Sequence, residues 1–183
     1  MKRIAIILNV LIFIVSSCEQ ATKKQEENAN DKDQLKNKLQ NVSQSLADTI
    51  ILSKKHIPNS ILCDLDGDGL SDTVKIVLNT RNGKYGLKIT FGNKTVKYLG
   101  MGKEILGQGF DDINWVGLFE KAPKGKIYWN NVNDDGEIIS EEDIRETDKI
   151  KLPNDGIFIH EAESCGGGVI YLNNGEFKWI QQE

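Results

Sequence analysis

From Ile61 onward this 183-residue chain runs in short stretches of β-branched and aromatic residues, cut at close intervals by Asn and Gly pairs. That rhythm constrains the fold more than any other feature. Thr73 to Leu78, Lys84 to Phe91 and Thr95 to Leu99 are separated by Arg81-Asn82-Gly83 and Gly92-Asn93, both hairpin signals, and predict a three-stranded antiparallel meander. Lys126 to Asn130 and Gly136 to Ile139 predict a further hairpin. Ser140 with Asp143 forms a capping box that predicts a short helix through about Thr147. Ile157 to His160, Val169 to Leu172 and Phe177 to Ile180 return to strand, the last two joined by Asn173-Asn174-Gly175. Upstream, Leu35, Leu39, Val42, Leu46 and Ile50 recur at three- and four-residue intervals, the period of an amphipathic helix, and Pro58 ends any helix before it. The expectation is an α+β fold, mostly antiparallel β-sheet with one N-terminal helix and one short helix. It forms a single domain over residues 35–183 with a core around Trp115, Trp129 and Trp179.

The chemistry concentrates in Asp64-Leu65-Asp66-Gly67-Asp68-Gly69-Leu70-Ser71-Asp72, four carboxylates and two glycines in nine residues. Calcium takes six to eight oxygen ligands, typically about 2.3 to 2.6 Å away, and a loop of this kind supplies them from alternate positions. The candidate ligands are Asp64, Asp66, Asp68, Asp72 and the carbonyl of Leu70. Gly67 and Gly69 accept positive φ, which lets the loop curl until the carboxylates face one centre. The alternative is an ordinary acidic Asp-Gly turn. The pattern D-x-D-G-D-G-x-x-D followed by Val74 resembles the calcium loops of FG-GAP and VCBS repeats. That resemblance covers about a dozen residues and implies a calcium site. No second copy of the nonapeptide occurs, so it does not imply a β-propeller. Lys75 at position twelve departs from the EF-hand pattern.

Lys2 and Arg3 precede an apolar run from Ile4 to Val15, broken by Asn9 and closing in Ser16-Ser17-Cys18. The run is short of the ~20 residues that cross a bilayer and reads as an export signal over residues 1–17. Val15-Ser16-Ser17-Cys18 resembles a bacterial lipobox, which implies cleavage before Cys18 and a lipid on its thiol; a plain secretory signal is the alternative. Two or three acyl chains anchor a protein durably. Glu19 stands where an aspartate would signal inner-membrane retention, so the expected location is the bacterial outer membrane, with the leaflet undecided. Residues 18–34 hold no aromatic or large aliphatic side chain and read as a flexible tether.

Formal charge is −4, and loss of Lys2 and Arg3 with the signal would take it to −6. Arg81 and Arg145 are the remaining arginines, so nucleic acid is not an expected partner. With Cys18 lipidated, Cys63 and Cys165 remain. In an oxidising envelope compartment a Cys63–Cys165 disulfide is the favoured reading, with two separately buried thiols as the alternative. Cys165 as a nucleophile with His160 as its base lacks any helix start or thiol-enzyme signature to support it. A weaker second metal candidate follows EF-hand spacing through Asn131, Asn133, Asp135, Glu137 and Glu142, against a plain Asp135-Gly136 turn leading into an acidic helix start. Gly100, Gly102, Gly107 and Gly109 mark a loop without a P-loop's Ser or Thr, and His56 and His160 make no zinc set.

The expected function is a non-catalytic, calcium-stabilised binding module, lipid-anchored in the envelope, with a protein or glycan partner. An envelope hydrolase and an inhibitor or immunity-type lipoprotein are the alternatives; no matched acid, base and nucleophile supports the first.

Overall fold

A computed structural model describes residues 49–133, 135–163 and 166–183. Eleven strands run through them in order: β1 Ile50–Leu52, β2 Ser60–Cys63, β3 Asp72–Asn79, β4 Lys84–Thr90, β5 Val96–Gly100, β6 Leu118–Ala122, β7 Ile127–Tyr128, β8 Ile150–Lys151, β9 Gly156–His160, β10 Gly167–Asn173 and β11 Glu176–Gln182. The predicted meander forms as β3-β4-β5, in register from Asn79↔Lys84 and from Thr90↔Val96. Its outer edge is shared, because β1 pairs with the end of β3 and β2 with its start. The second sheet has the order β11-β10-β9-β6, all antiparallel. β10 and β11 meet at a tight turn in which Asn174 and Gly175 both hold positive φ, as an Asn-Gly pair allows.

The expected α+β class is overturned. No α-helix occurs among the described residues, and the architecture is antiparallel β-sheet throughout. Where the capping box predicts a helix, two single 3-10 turns stand at Glu141–Asp143 and Glu146–Asp148. The Ser140 hydroxyl donates to the Asp143 carboxylate (2.8 Å) instead of accepting a backbone N–H. Neither turn buries a residue, so no packing offsets the cost of nucleating a helix. Ile50, the last residue of the predicted N-terminal helix, lies in β1; residues 35–48 of that helix, with the signal, Cys18 and the tether, lie outside the described residues. The predicted hairpin of 126–130 with 136–139 reduces to one bridge, Val132↔Ile138. β7 pairs with β8 instead, which buries Tyr128 beside Leu152.

The two sheets share one aliphatic core. Val74, Ile76, Leu87 and Ile89 from the first meet Phe119, Ile157, Ile159 and Ile170 from the second, with Ile105, Ile113 and Val116 filling in from the connecting segment. Each buried side chain of this size contributes about 1.5–3 kcal/mol. Because successive residues of a strand face opposite sides, Val169 and Tyr171 turn away from Ile170 into a second cluster with Ile180, Leu152 and Tyr128. β10 is consequently buried on both faces. The tryptophans expected at the centre sit at the margin: Trp115 and Trp179 pack against the first cluster half-buried, and Trp129 is half-buried as well.

Candidate functional site

The acidic nonapeptide is the connection from β2 to β3, and both ends are held by sheet pairing, since Cys63 lies opposite Asp72 in the ladder. Asp72 is fully buried. Its two carboxylate oxygens accept the backbone N–H groups of Leu65 (2.7 Å) and Gly92 (2.8 Å). Asp64 accepts from the N–H groups of Gly67 (2.8 Å) and Gly69 (3.1 Å), which wraps the loop around its carboxylate. Both glycines hold positive φ, 76° and 81°. Asp64, Asp66 and Asp72 thereby bring one carboxylate oxygen each to within 4.8 Å of one another. These three are close enough to hold a metal ion. Asp68 is exposed, its carboxylate accepts the Leu70 N–H (2.7 Å), and it is not one of the converging three; Leu70 is expected to contribute its backbone carbonyl, which is no part of a side-chain trio.

Electrostatically the trio is under tension. Burial pushes the Asp72 carboxyl above its ordinary range against the two backbone donors that lower it, and the charges of Asp66 and Asp64 add to the rise. A divalent cation placed between the carboxylates would reverse that repulsion.

Two residues that sequence reasoning passed over complete the loop. Asp155 accepts the Asp64 N–H (3.1 Å) and the Lys124 N–H (3.0 Å), its own N–H donates to the Asp64 carbonyl (3.1 Å), and Lys121 stands 3.5 Å from its carboxylate. Burial alone would raise its pKa, but the donated N–H groups of Lys124 and Asp64 and the Lys121 charge hold it below the ordinary carboxylate range. The Asn154 amide lies over Gly67, where a Cβ would overlap it, and reaches toward the Leu65 carbonyl. The only local signal for these two is the turn string Pro153-Asn154-Asp155-Gly156, which says nothing of a partner some ninety residues earlier.

Cys63 is a free, buried thiol, pushed up to about 12 by burial and by the neighbouring Asp72 and Asp155 carboxylates. Both effects disfavour its thiolate, the nucleophilic form of a cysteine. Cys165, its partner in the expected disulfide, lies outside the described residues. His160, on β9, stacks on Phe158 and its Nδ1 donates to the Glu161 carbonyl (2.7 Å).

The second acidic stretch is built differently. The Asn131 side chain pairs with the backbone of Glu183, donating to its carbonyl (2.9 Å) and accepting from its N–H (2.8 Å). The Asn133 oxygen accepts the N–H groups of Asp135 and Glu137, and its amide donates to the Glu137 carboxylate (3.1 Å). Glu142 is exposed on the first 3-10 turn. Among the described residues the acidic groups that converge closely enough for an ion are those of the Asp64 loop, not these.

The fold and this loop define a class: an antiparallel β protein of two packed sheets with an acidic, glycine-hinged loop at one strand junction. Comparison of the chain with protein-family models, with curated proteins and with solved structures returns no match.

Proposed function

We propose that this chain is a calcium-stabilised, non-catalytic binding module of the bacterial envelope, lipid-anchored at Cys18 in the outer membrane. The observation that carries the reading is the convergence of Asp64, Asp66 and Asp72, with Asp72 fully buried and, among the described residues, without a salt-bridge partner. Hard carboxylate oxygens on a loop of alternating ligand positions suit calcium better than a softer metal, and the resemblance to FG-GAP and VCBS loops points the same way. The anchor rests on the signal and lipobox residues in the sequence, and the absence of a matched nucleophile, base and oxyanion donor supports a binding role.

Thermal unfolding of the chain in excess calcium, excess magnesium and chelator tests the site. At a hundredfold excess over Kd, calcium adds ~2.7 kcal/mol, which for a domain of this size raises Tm by roughly 5 to 10 °C. The rise is expected for calcium above magnesium and is expected to vanish in Asp66→Ala. An equal Tm in all three conditions would refute the ion site. Labelling with radioactive palmitate in a bacterial host, lost in Cys18→Ala, tests the anchor.

A further inference from the structure

Between β10, β11 and the 106–115 segment the chain carries two adjoining hollows of about 260 Å³ and about 430 Å³ that share Gln108 and Trp179. The first is walled by Phe110, Trp115 and Trp179; the second continues past Trp179 to Phe177 and Asn173. We propose that these hollows form a glycan-binding groove for a short stretch of neutral oligosaccharide, one sugar ring in each. The proposal rests on the binding-module reading above and names its ligand class.

The aromatic floor is fixed in advance. Trp179 lies across Gly168 of the neighbouring strand, where any Cβ would overlap the indole, so Gly168 is explained by an aromatic ring seated on bare backbone. Its Nε1 donates to Gln181 (2.8 Å), which fixes the ring in its plane. Phe110 meets Trp115 and Trp179 edge to face, with centroids 5.5 and 5.7 Å away. A preorganised aromatic ledge that stays half-exposed offers its face to another flat apolar surface at little entropic cost.

The polar rim decides the class. Trp179's Nε1 is engaged internally, whereas Glu161 and Asn173 have side chains without a hydrogen-bond or ion-pair partner among the described residues. Gln108 donates to the Leu106 carbonyl (3.1 Å), which leaves its side-chain oxygen as an acceptor. The lysine in the second hollow, Lys178, is paired with Glu176 (2.8 Å). An uncharged ligand with hydrogen-bond donors around its rim and an apolar face for the rings suits this lining. A sugar ring has that shape: C–H groups on one face, hydroxyls at the edge. An anion would meet Glu161 and no free cation. A compact quaternary ammonium is the competing ligand for aromatic faces, and it is the one a tetramethylammonium titration separates from a sugar.

The test is a titration of the full chain with cello-, malto-, manno- and chito-oligosaccharides and with tetramethylammonium, followed by tryptophan fluorescence and calorimetry, in calcium and in chelator. One saccharide series is expected to bind, more tightly for longer oligomers. Trp115→Ala and, at the rim, Asn173→Ala and Glu161→Gln are each expected to weaken it about tenfold, with Tm unchanged for the two rim variants. No saccharide bound by the folded chain, binding indifferent to all three variants, or binding of tetramethylammonium alone would overturn the proposal. The two readings fail separately. A calcium-dependent Tm without glycan binding removes the glycan and leaves the ion site, whereas glycan binding without any calcium effect does the reverse.

Discussion

His56 is buried, and its Nδ1 lies against the Ser53 hydroxyl. Ser53 Oγ accepts the N–H groups of Lys55 (3.2 Å) and His56 (3.3 Å), so its single proton is free to go to His56 Nδ1 (2.7 Å). The ring is then neutral with its proton on Nε2, which is buried without a partner. Burial lowers the His56 pKa below 6.5, and the nearby Lys55 charge adds to the drop. The unfolded chain therefore takes up a proton first as the pH falls through 6.5, and stability is lost from there down to the folded pKa. Asp72 has the opposite sign: its folded pKa is raised, so its contribution is favourable at low pH and is lost as the pH rises through that value. In chelator, Tm is expected to drop below pH 6.5, and His56→Asn, which keeps an acceptor toward Ser53, is expected to flatten that drop. In calcium, acidification through the Asp72 pKa is expected to weaken the ion by proton competition. Gly67 is a second residue-scale test. Alanine there meets both a φ of 76° and the Asn154 amide, a strain of about 1–3 kcal/mol. Gly67→Ala is expected to lower Tm in chelator and to reduce the calcium increment, whereas Gly69→Ala, whose Cβ would meet open space, is expected to cost only the φ strain.

At the scale of elements, local pattern and tertiary competition divide the chain cleanly. The meander strands were legible because each carries its own period-two pattern and its own turn, and β3, β4 and β5 pair with their sequence neighbours. β2 and β6 were not legible: Ser60–Cys63 and Leu118–Ala122 are short, and they become strands because β3 and β9 offer them an edge. β7 illustrates the same competition. Its nearest partner in sequence was the 136–139 segment, yet it pairs with β8 because that arrangement brings Tyr128 and Leu152 under the second sheet, both nearly fully buried. Leu152→Ala is therefore expected to cost about 2–5 kcal/mol, measured by denaturant unfolding. Ile138→Ala, 63% exposed beside the lone bridge, is expected to cost little.

Across the whole molecule the acidic loop is not a property of the first sheet alone. Asp155, at the entry to β9 in the second sheet, holds the backbone of Asp64 from a separation of 91 residues. Replacing it by Asn leaves one oxygen for two backbone donors, the Asp64 and Lys124 N–H groups, and leaves Lys121 without its anion. Asp155→Asn is expected to lower stability by about 1–3 kcal/mol and to weaken calcium about tenfold, although it meets the trio only through the Asp64 backbone, and a calorimetric titration checks both together.

The carboxylate spacing, the hinges at Gly67 and Gly69 and the strand periods of β3, β4, β5, β9, β10 and β11 were set by the sequence alone, because each depends on residues within a few positions of one another. So was the identity of Asp64, Asp66 and Asp72 as ligand candidates. What the tertiary structure decided depends on distant contacts: the absence of a helix at 140–147, where no buried face repays its nucleation; the pairing of β7 with β8; the clamp of Asp155 on Asp64; and the seating of Trp179 on Gly168. Each is a choice between partners, settled by which arrangement buries more apolar surface and leaves fewer backbone groups unpaired.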